Sequence, residues 1–272
     1  MIIADIGVNH NGSLATAKQL AIEAKEAGVD VVKLQFRDLD TCLTQKQKDA
    51  PKFWHDSMIT YLEYKQELEL SDGQILHFDN FCRANQIVWT ASVYDIPSLN
   101  KLLQYQVPFV KLPSSQITNE PLLKALAKCR TKTIISTGGS TEQEMKHAMV
   151  ILGEQLMGVM MCTSIYPTPD NKMNLNRIKE FKRKYDYTMC GYSSHHKSPY
   201  AVFAAASEHR ADMVEFHITE DKKQEGSDHN FSLELDEVAP LCEAIKKNDL
   251  WRGSYIQFVY DEELEKIKSQ VH

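Results

Sequence analysis

MIIADIGVNHNGSLATAKQLAIEAKEAGVDVVKLQF, residues 1–36, holds the pattern that decides the fold. An apolar run at 2–8 gives way to a polar turn. Apolar residues at helical spacing follow over 14–27, and a second apolar run at 31–35 comes after Gly28. Short runs rich in β-branched residues predict strands, and the amphipathic stretch between them predicts a helix. The unit then recurs. Further strand-like runs lie at 87–91, 109–112, 133–136, 158–162, 188–192 and 213–218, alternating with helical patterns at 57–84, 96–105, 120–128, 142–152, 175–185, 200–209 and 235–247. Strands without an exposed polar face, each followed by a helix, imply a parallel sheet covered on both sides. Eight such units in about 250 residues fit an α/β fold of the closed (β/α)8 TIM barrel type, as a single domain. An open doubly wound sheet is the alternative, weakened because no Gly-x-Gly-x-x-Gly follows the first strand.

With 43% hydrophobic and 25% charged side chains in 272 residues, the composition is that of one large globular domain. A net charge of -6 supplies no general attraction for nucleic acid or anionic lipid, so a phosphate on a ligand must be met by a local pocket. The N-terminus lacks a basic segment followed by a long apolar one, and no run of about 18 apolar residues occurs, so the expectation is a soluble cytoplasmic protein without membrane partners. The six cysteines, among them Cys162 and Cys190 near strand ends, form no Cys-x-x-Cys pair and read as reduced structural thiols. The polar segment 41–52 reads as a long loop that could serve as a lid. Domain boundaries are expected at 1–248 for the barrel and 249–272 for a helical appendage packed on it.

A barrel of this kind builds its active site at the C-terminal ends of its strands. Those ends carry Asp5, Asn9 and His10; Lys33 and Gln35; Ser92; Lys111, Ser114, Ser115 and Gln116; Ser136 and Thr137; Thr163, Ser164 and Tyr166; Ser193 and His195; Glu215, His217 and Asp228. Taken singly, Lys33 or Lys111 reads as a lysine that reaches solvent by its stem. Together with the hydroxyls of Ser92, Ser114, Ser136 and Ser193 they make a pocket for phosphate or carboxylate, ammonium groups giving charge and hydroxyls directed donors. His195 and His217 end neighbouring strands, so their rings can converge on one divalent metal, with Asp228 as a further ligand or a holder of metal-bound water. His196 and His229 are expected to face solvent.

These residues also stand in recognisable blocks. ADIGVNHNGSLATAKQLAIEAKEAGVDVVKLQ, KLPSSQITNEPLL, IISTGGST, CTSIYPTP, GYSSHH and EGSDH resemble, in order and spacing, the N-acetylneuraminate (sialic acid) synthase family over about residues 2–247. The resemblance implies a (β/α)8 barrel that condenses phosphoenolpyruvate with an N-acyl hexosamine such as N-acetylmannosamine, using Mn2+ or Mg2+ and releasing phosphate. It implies phosphoenolpyruvate contacts at Lys33, Ser92, Lys111, Ser114, Ser136, Ser164, Tyr166 and Ser193, with metal ligands at His195 and His217. It implies sugar contacts at Asp5, Gln35 and Gln116, and catalytic roles for Asp5, His195, His217 and Asp228.

The chain departs from the family pattern mostly on the sugar side. The family usually has Glu at the positions of Asp5 and Gln116, Asn at Ser164, Asp at Ser194 and a basic residue at Phe216. Family members also carry a C-terminal antifreeze-like domain that supplies an arginine to the sugar's N-acyl group across a domain-swapped dimer. No such domain is read before His272. The expectation is therefore a homodimer or a separate antifreeze-like partner, a different acceptor, or weakened activity. Two other classes stay open: a metal-dependent hydrolase on the same barrel, and a non-catalytic paralogue that binds a sugar or phosphate ligand.

Overall fold

The computed structural model describes residues 1–254, 256 and 258–270; residues 255, 257, 271 and 272 of the expected appendage lie outside the described residues. In chain order the strands are β1 (Ile2–Gly7), β2 (Val31–Phe36), β3 (Pro51–Trp54), β4 (Ser57–Thr60), β5 (Trp89–Val93), β6 (Val110–Leu112), β7 (Thr133–Ser136), β8 (Leu156–Met161), β9 (Met189–Ser194), β10 (Met213–Thr219) and β11 (Leu233–Glu234). Strands β1, β2 and β5 to β10 pair in parallel in sequence order, and β10 returns to β1 with Ile2 opposite Val214 and Asp5 opposite His217. The eight-stranded barrel expected from the alternation is therefore closed. Among the described residues no helix is long and apolar enough to cross a membrane.

The period of two along each strand explains both the floor and the site. Ile3, Val31, Phe109, Ile134, Met160 and Met213 point inward as one buried apolar cluster across the barrel. Two residues further along the same strands stand Asp5, Lys33, Lys111, Ser136, Cys162 and Glu215. Successive inward positions of a strand are two residues apart, so an apolar floor and a polar layer above it follow from one pattern. Met213 fills the space that two strands leave open: a Cβ on Gly158 would come within 2.3 Å of its Cε, and one on Gly191 within 2.4 Å of its Cγ. The outward faces of the strands, with Ile2, Ala4, Ile6, Val32, Leu34 and Ala91, pack against the helices in the main core.

Two regions differ from the sequence reading. The segment 41–52 is not a featureless loop: it holds helices Leu39–Cys42 and Gln45–Lys48 and enters the antiparallel hairpin β3–β4. The long helical span at 57–84 is divided into β4 and helices Tyr61–Leu68 and Asp72–Ala84. Each helix starts in a capping box, Thr60 with Glu63 and Ser71 with Gln74, and these signals break the span. Trp54, Tyr64 and Leu68 pack on Val8 as a small second core at the catalytic end. The hairpin is joined to the loop after β10, since the His55 backbone N–H donates to Glu225 Oε2 (3.3 Å), and the turn after β1 meets the same residue, with Asn11 Nδ2 donating to the Glu225 carbonyl (3.2 Å). At the other end of the chain, helix Leu235–Trp251 packs on the barrel, whereas helix Asp261–Lys268 has no buried side chain.

Candidate active site

A cavity of about 350 Å³ opens at the C-terminal end of the barrel. It is lined by Asp5, Lys33, Gln35, Ser92, Lys111, Ser114, Ser136, Tyr166, Ser193, His195, His217 and Asp228 from the sequence reading. Gln116 and Ser164 do not line it. The 3-10 turn Ser114–Gln116 directs Ser114 inward, while Gln116 is half-buried beside it and accepts from Asn119 Nδ2 (2.8 Å). Ser164 is exposed and lies against Gly138, where a Cβ would come within 2.2 Å of its Oγ.

The deep end is a network of charges and hydroxyls. Lys33 and Lys111 are each at most 2% exposed. Lys33 Nζ donates to Asp5 Oδ2 (2.6 Å) and Ser92 Oγ (2.8 Å), and Lys111 Nζ donates to Ser136 Oγ. Each serine oxygen thus accepts from a lysine, and its own O–H is left to donate elsewhere. The Gly138 N–H donates to Ser114 Oγ (2.9 Å), and a side chain at Gly138 would also crowd Cys162 Sγ at 2.8 Å. Glycine is required there for the backbone to approach the pocket this closely. Burial works against the charge of Lys33, but Asp5 and Glu215 outweigh it and raise its pKa. Burial also works against the charge of Asp5, yet Lys33 and His217 hold its carboxyl below the usual range. Asp5 Oδ1, Glu215 Oε2 and His217 Nδ1 are buried without a hydrogen-bond partner. Orphaned polar atoms of this kind mark where a ligand or water completes the network.

The metal reading can be tested on the histidines. His195 Nδ1 and the Thr163 carbonyl are 3.0 Å apart, which fixes the tautomer with the proton on Nδ1 and leaves the Nε2 lone pair free. Burial, with His217 beside it, pushes the His195 pKa down to about 4, so its ring is neutral and able to ligate at ordinary pH. The His195 and His217 ring centroids are 5.8 Å apart, and Asp228 Oδ2 is 3.7 Å from the orphaned His217 Nδ1. Two imidazoles and a carboxylate would suit a divalent transition metal such as Mn2+, with further positions for oxygen ligands, better than Mg2+, which prefers oxygen donors throughout. Burial opposes the charge of Asp228, but His217, Ser227 and Arg37 keep its carboxyl below the usual range.

Arg37, Tyr94, Cys162, Glu215 and Ser227 also line the cavity. The sequence reading placed Cys162 with the structural thiols, named Glu215 at a strand end without a role, and did not select Arg37, Tyr94 or Ser227. The guanidinium of Arg37 lies 4.1 Å from the Tyr94 ring centroid. A signal for both was present: Arg37 continues the inward series Lys33, Gln35, and Tyr94 stands two residues beyond Ser92. His229 is a correction. It is fully buried, with Nδ1 2.7 Å from Thr219 Oγ1, because hydrogen bonding satisfies a ring that its polar neighbours made look solvated. His196 is partly buried, with Nε2 2.9 Å from Asp170 Oδ1. All six cysteines are free, as expected; Cys162 reaches the cavity, whereas Cys190 is buried in the main core.

A model of the NeuB family matches residues 20–257. The chain is 37% identical over 248 residues to the N-acetylneuraminate-9-phosphate synthase of Drosophila melanogaster, covering 90% of this chain and 66% of that one. It is 34% identical over 258 residues to the N,N'-diacetyllegionaminic acid synthase of Campylobacter jejuni subsp. jejuni, covering 91% and 75%. The solved structure of N-acetylneuraminic acid (sialic acid) synthetase from Leptospira borgpetersenii serovar Hardjo-bovis aligns with a TM-score of 0.85 at 26% identity, covering 99% of this chain and 90% of that one. The chain spans 66% to 75% of the length of these two curated relatives.

Proposed function

The chain belongs to the NeuB family, and from that premise we propose that it joins phosphoenolpyruvate to an N-acyl hexosamine or related aldose, giving a nonulosonic 3-deoxy-2-keto acid and phosphate. One observation carries the reading. Two fully buried lysines, each donating to a serine hydroxyl, form the closed end of a cavity whose next layer holds a pair of histidines. Phosphoenolpyruvate carries a phosphate and a carboxylate on three carbons, so its site needs cations together with several fixed donors. Lys111 with Ser136, Lys33 with Ser92, and Ser114 and Ser193 supply them.

In this reading C3 of phosphoenolpyruvate bonds to the aldehyde carbon, and the aldehyde oxygen takes up a proton. Water adds at C2, the carbon-oxygen bond to phosphate breaks, and phosphate leaves. A divalent cation held by His195 and His217, Mn2+ or Mg2+, would polarise the aldehyde oxygen. Lys33 keeps Asp5 ionised, which suits Asp5 to accept a proton or orient the sugar through Oδ1 rather than to donate one. Gln35 Nε2 donates to Asp5 Oδ2 (3.3 Å) and stands between the donor pocket and Arg37, where an acceptor's hydroxyls would lie.

The test is phosphate release from phosphoenolpyruvate with Mn2+ and a panel of aldoses that includes N-acetylmannosamine, with the products identified by mass spectrometry. Release coupled to a 3-deoxy-2-keto acid is expected for at least one sugar. Binding of phosphoenolpyruvate without product from any sugar would mean that the barrel needs a partner chain or is a binding protein.

A further inference from the structure

Glu215 lies on β10 between the two lysines, and the family resemblance gives it no part. The residue is 4% exposed. Oε1 accepts from Ser193 Oγ (3.0 Å) and is 3.7 Å from Lys111 Nζ and 3.8 Å from Lys33 Nζ, while Oε2 is buried without a partner. Two ammonium groups buried at the closed end of one cavity repel each other, and a carboxylate placed between them offsets that repulsion. An ammonium has three protons to donate. Those of Lys33 are directed to Asp5, Ser92 and the Glu215 side; Lys111 has Ser136 and the Glu215 side, which leaves one N–H for a ligand.

We propose that Glu215 is a positioning residue: it holds the Lys33 and Lys111 ammonium groups and the Ser193 hydroxyl at the spacing that receives the anionic donor. The inference rests on the donor reading above. Its effect reaches Lys111 most directly. Burial pushes the Lys111 pKa below the ordinary lysine range and Lys33 adds to this, whereas Glu215, Cys162 and Asp5 work the other way. Lysine is charged below its pKa, so donor binding is lost as pH rises through it. Without the Glu215 charge that loss comes at lower pH.

Calorimetric titration of the Mn2+-loaded protein with phosphoenolpyruvate between pH 6 and pH 9 tests this. Wild type is compared with Glu215→Gln and Glu215→Asp, each shown to be folded by near-ultraviolet circular dichroism. Glu215→Gln is expected to weaken donor binding by about tenfold or more near pH 8 and to move the alkaline loss to lower pH, with the KM for the acceptor unchanged. Glu215→Asp keeps the charge but is shorter, so it should weaken binding without moving that loss, and it decides the matter if the glutamine variant does not fold. Donor binding like wild type, with the same alkaline limb, in a folded variant overturns the positioning role. Failure of wild type itself to bind phosphoenolpyruvate overturns the donor reading, and this inference with it.

Discussion

His217→Ala is expected to lower metal-dependent turnover by more than about a hundredfold, and His195→Ala to do the same, with the barrel still folded. The two rings differ in how they are held. His195 is oriented by the Thr163 carbonyl and has Nε2 free, while His217 stands between Asp5, 3.4 Å from its Nε2, and Asp228, 3.7 Å from its Nδ1. Removing either ring leaves a single imidazole and a carboxylate, too few protein ligands to fix a divalent ion and an aldehyde oxygen together. Electron paramagnetic resonance of Mn2+ separates loss of the metal from loss of chemistry. Wild type should remove free Mn2+ signal in proportion to protein, and both variants should leave it in solution. Turnover at the wild-type level in either variant sinks the metal assignment.

Lys111→Met is expected to raise the KM for phosphoenolpyruvate by roughly a hundredfold, since truncating one partner of a buried charge pair costs about 2–5 kcal/mol in binding. Lys111 is fully buried and has an N–H free to point into the cavity, so no water-exposed cation can take its place by a rotamer change. Methionine keeps the length of the stem and its packing. The KM for the acceptor sugar should change little, because Gln35, Arg37 and Asp228 line the cavity outside the lysine layer. Steady-state kinetics in both substrates reads the split. An unchanged KM for phosphoenolpyruvate would remove Lys111 from the donor pocket.

The barrel was legible in the sequence because its strands are buried on both faces and each appears as a short, mostly apolar run, Ile2 and Ile3 as much as Val31 and Val32. Its polar layer was legible as well, since Lys33 and Lys111 interrupt such runs where an apolar residue would be expected. The hairpin was not. Phe53 is 57% and Met58 65% exposed, so β3–β4 has no continuous buried face to produce a two-residue period. What holds it is Trp54 packed on Val8, Tyr64 and Leu68, a contact between segments that no local pattern announces. Gln116 stands off the cavity for a local reason. It lies two residues after Ser114 in a 3-10 turn with three residues per turn, so the two side chains point in different directions. Arg37 and Tyr94 were missed because the inward alternation was followed only to the strand ends, whereas the structure carries it one step further onto the rim.

The apolar floor makes the barrel a cup rather than a tube. Ile3, Phe109, Ile134 and Met160 are at most 1% exposed and seal the end below the lysines, so the strand-end cavity has no rear exit. Lys33 and Lys111 lie at the bottom of the cup, and Arg37, Ser227 and Asp228 lie nearer its lip. A molecule resting at the lip therefore stands in the path of one bound for the bottom. In the proposed reaction a donor seated on the lysines would therefore have to arrive before the acceptor, and its phosphate would leave only after the larger product. The closed floor would thus impose a queue, with one doorway serving both arrival and departure.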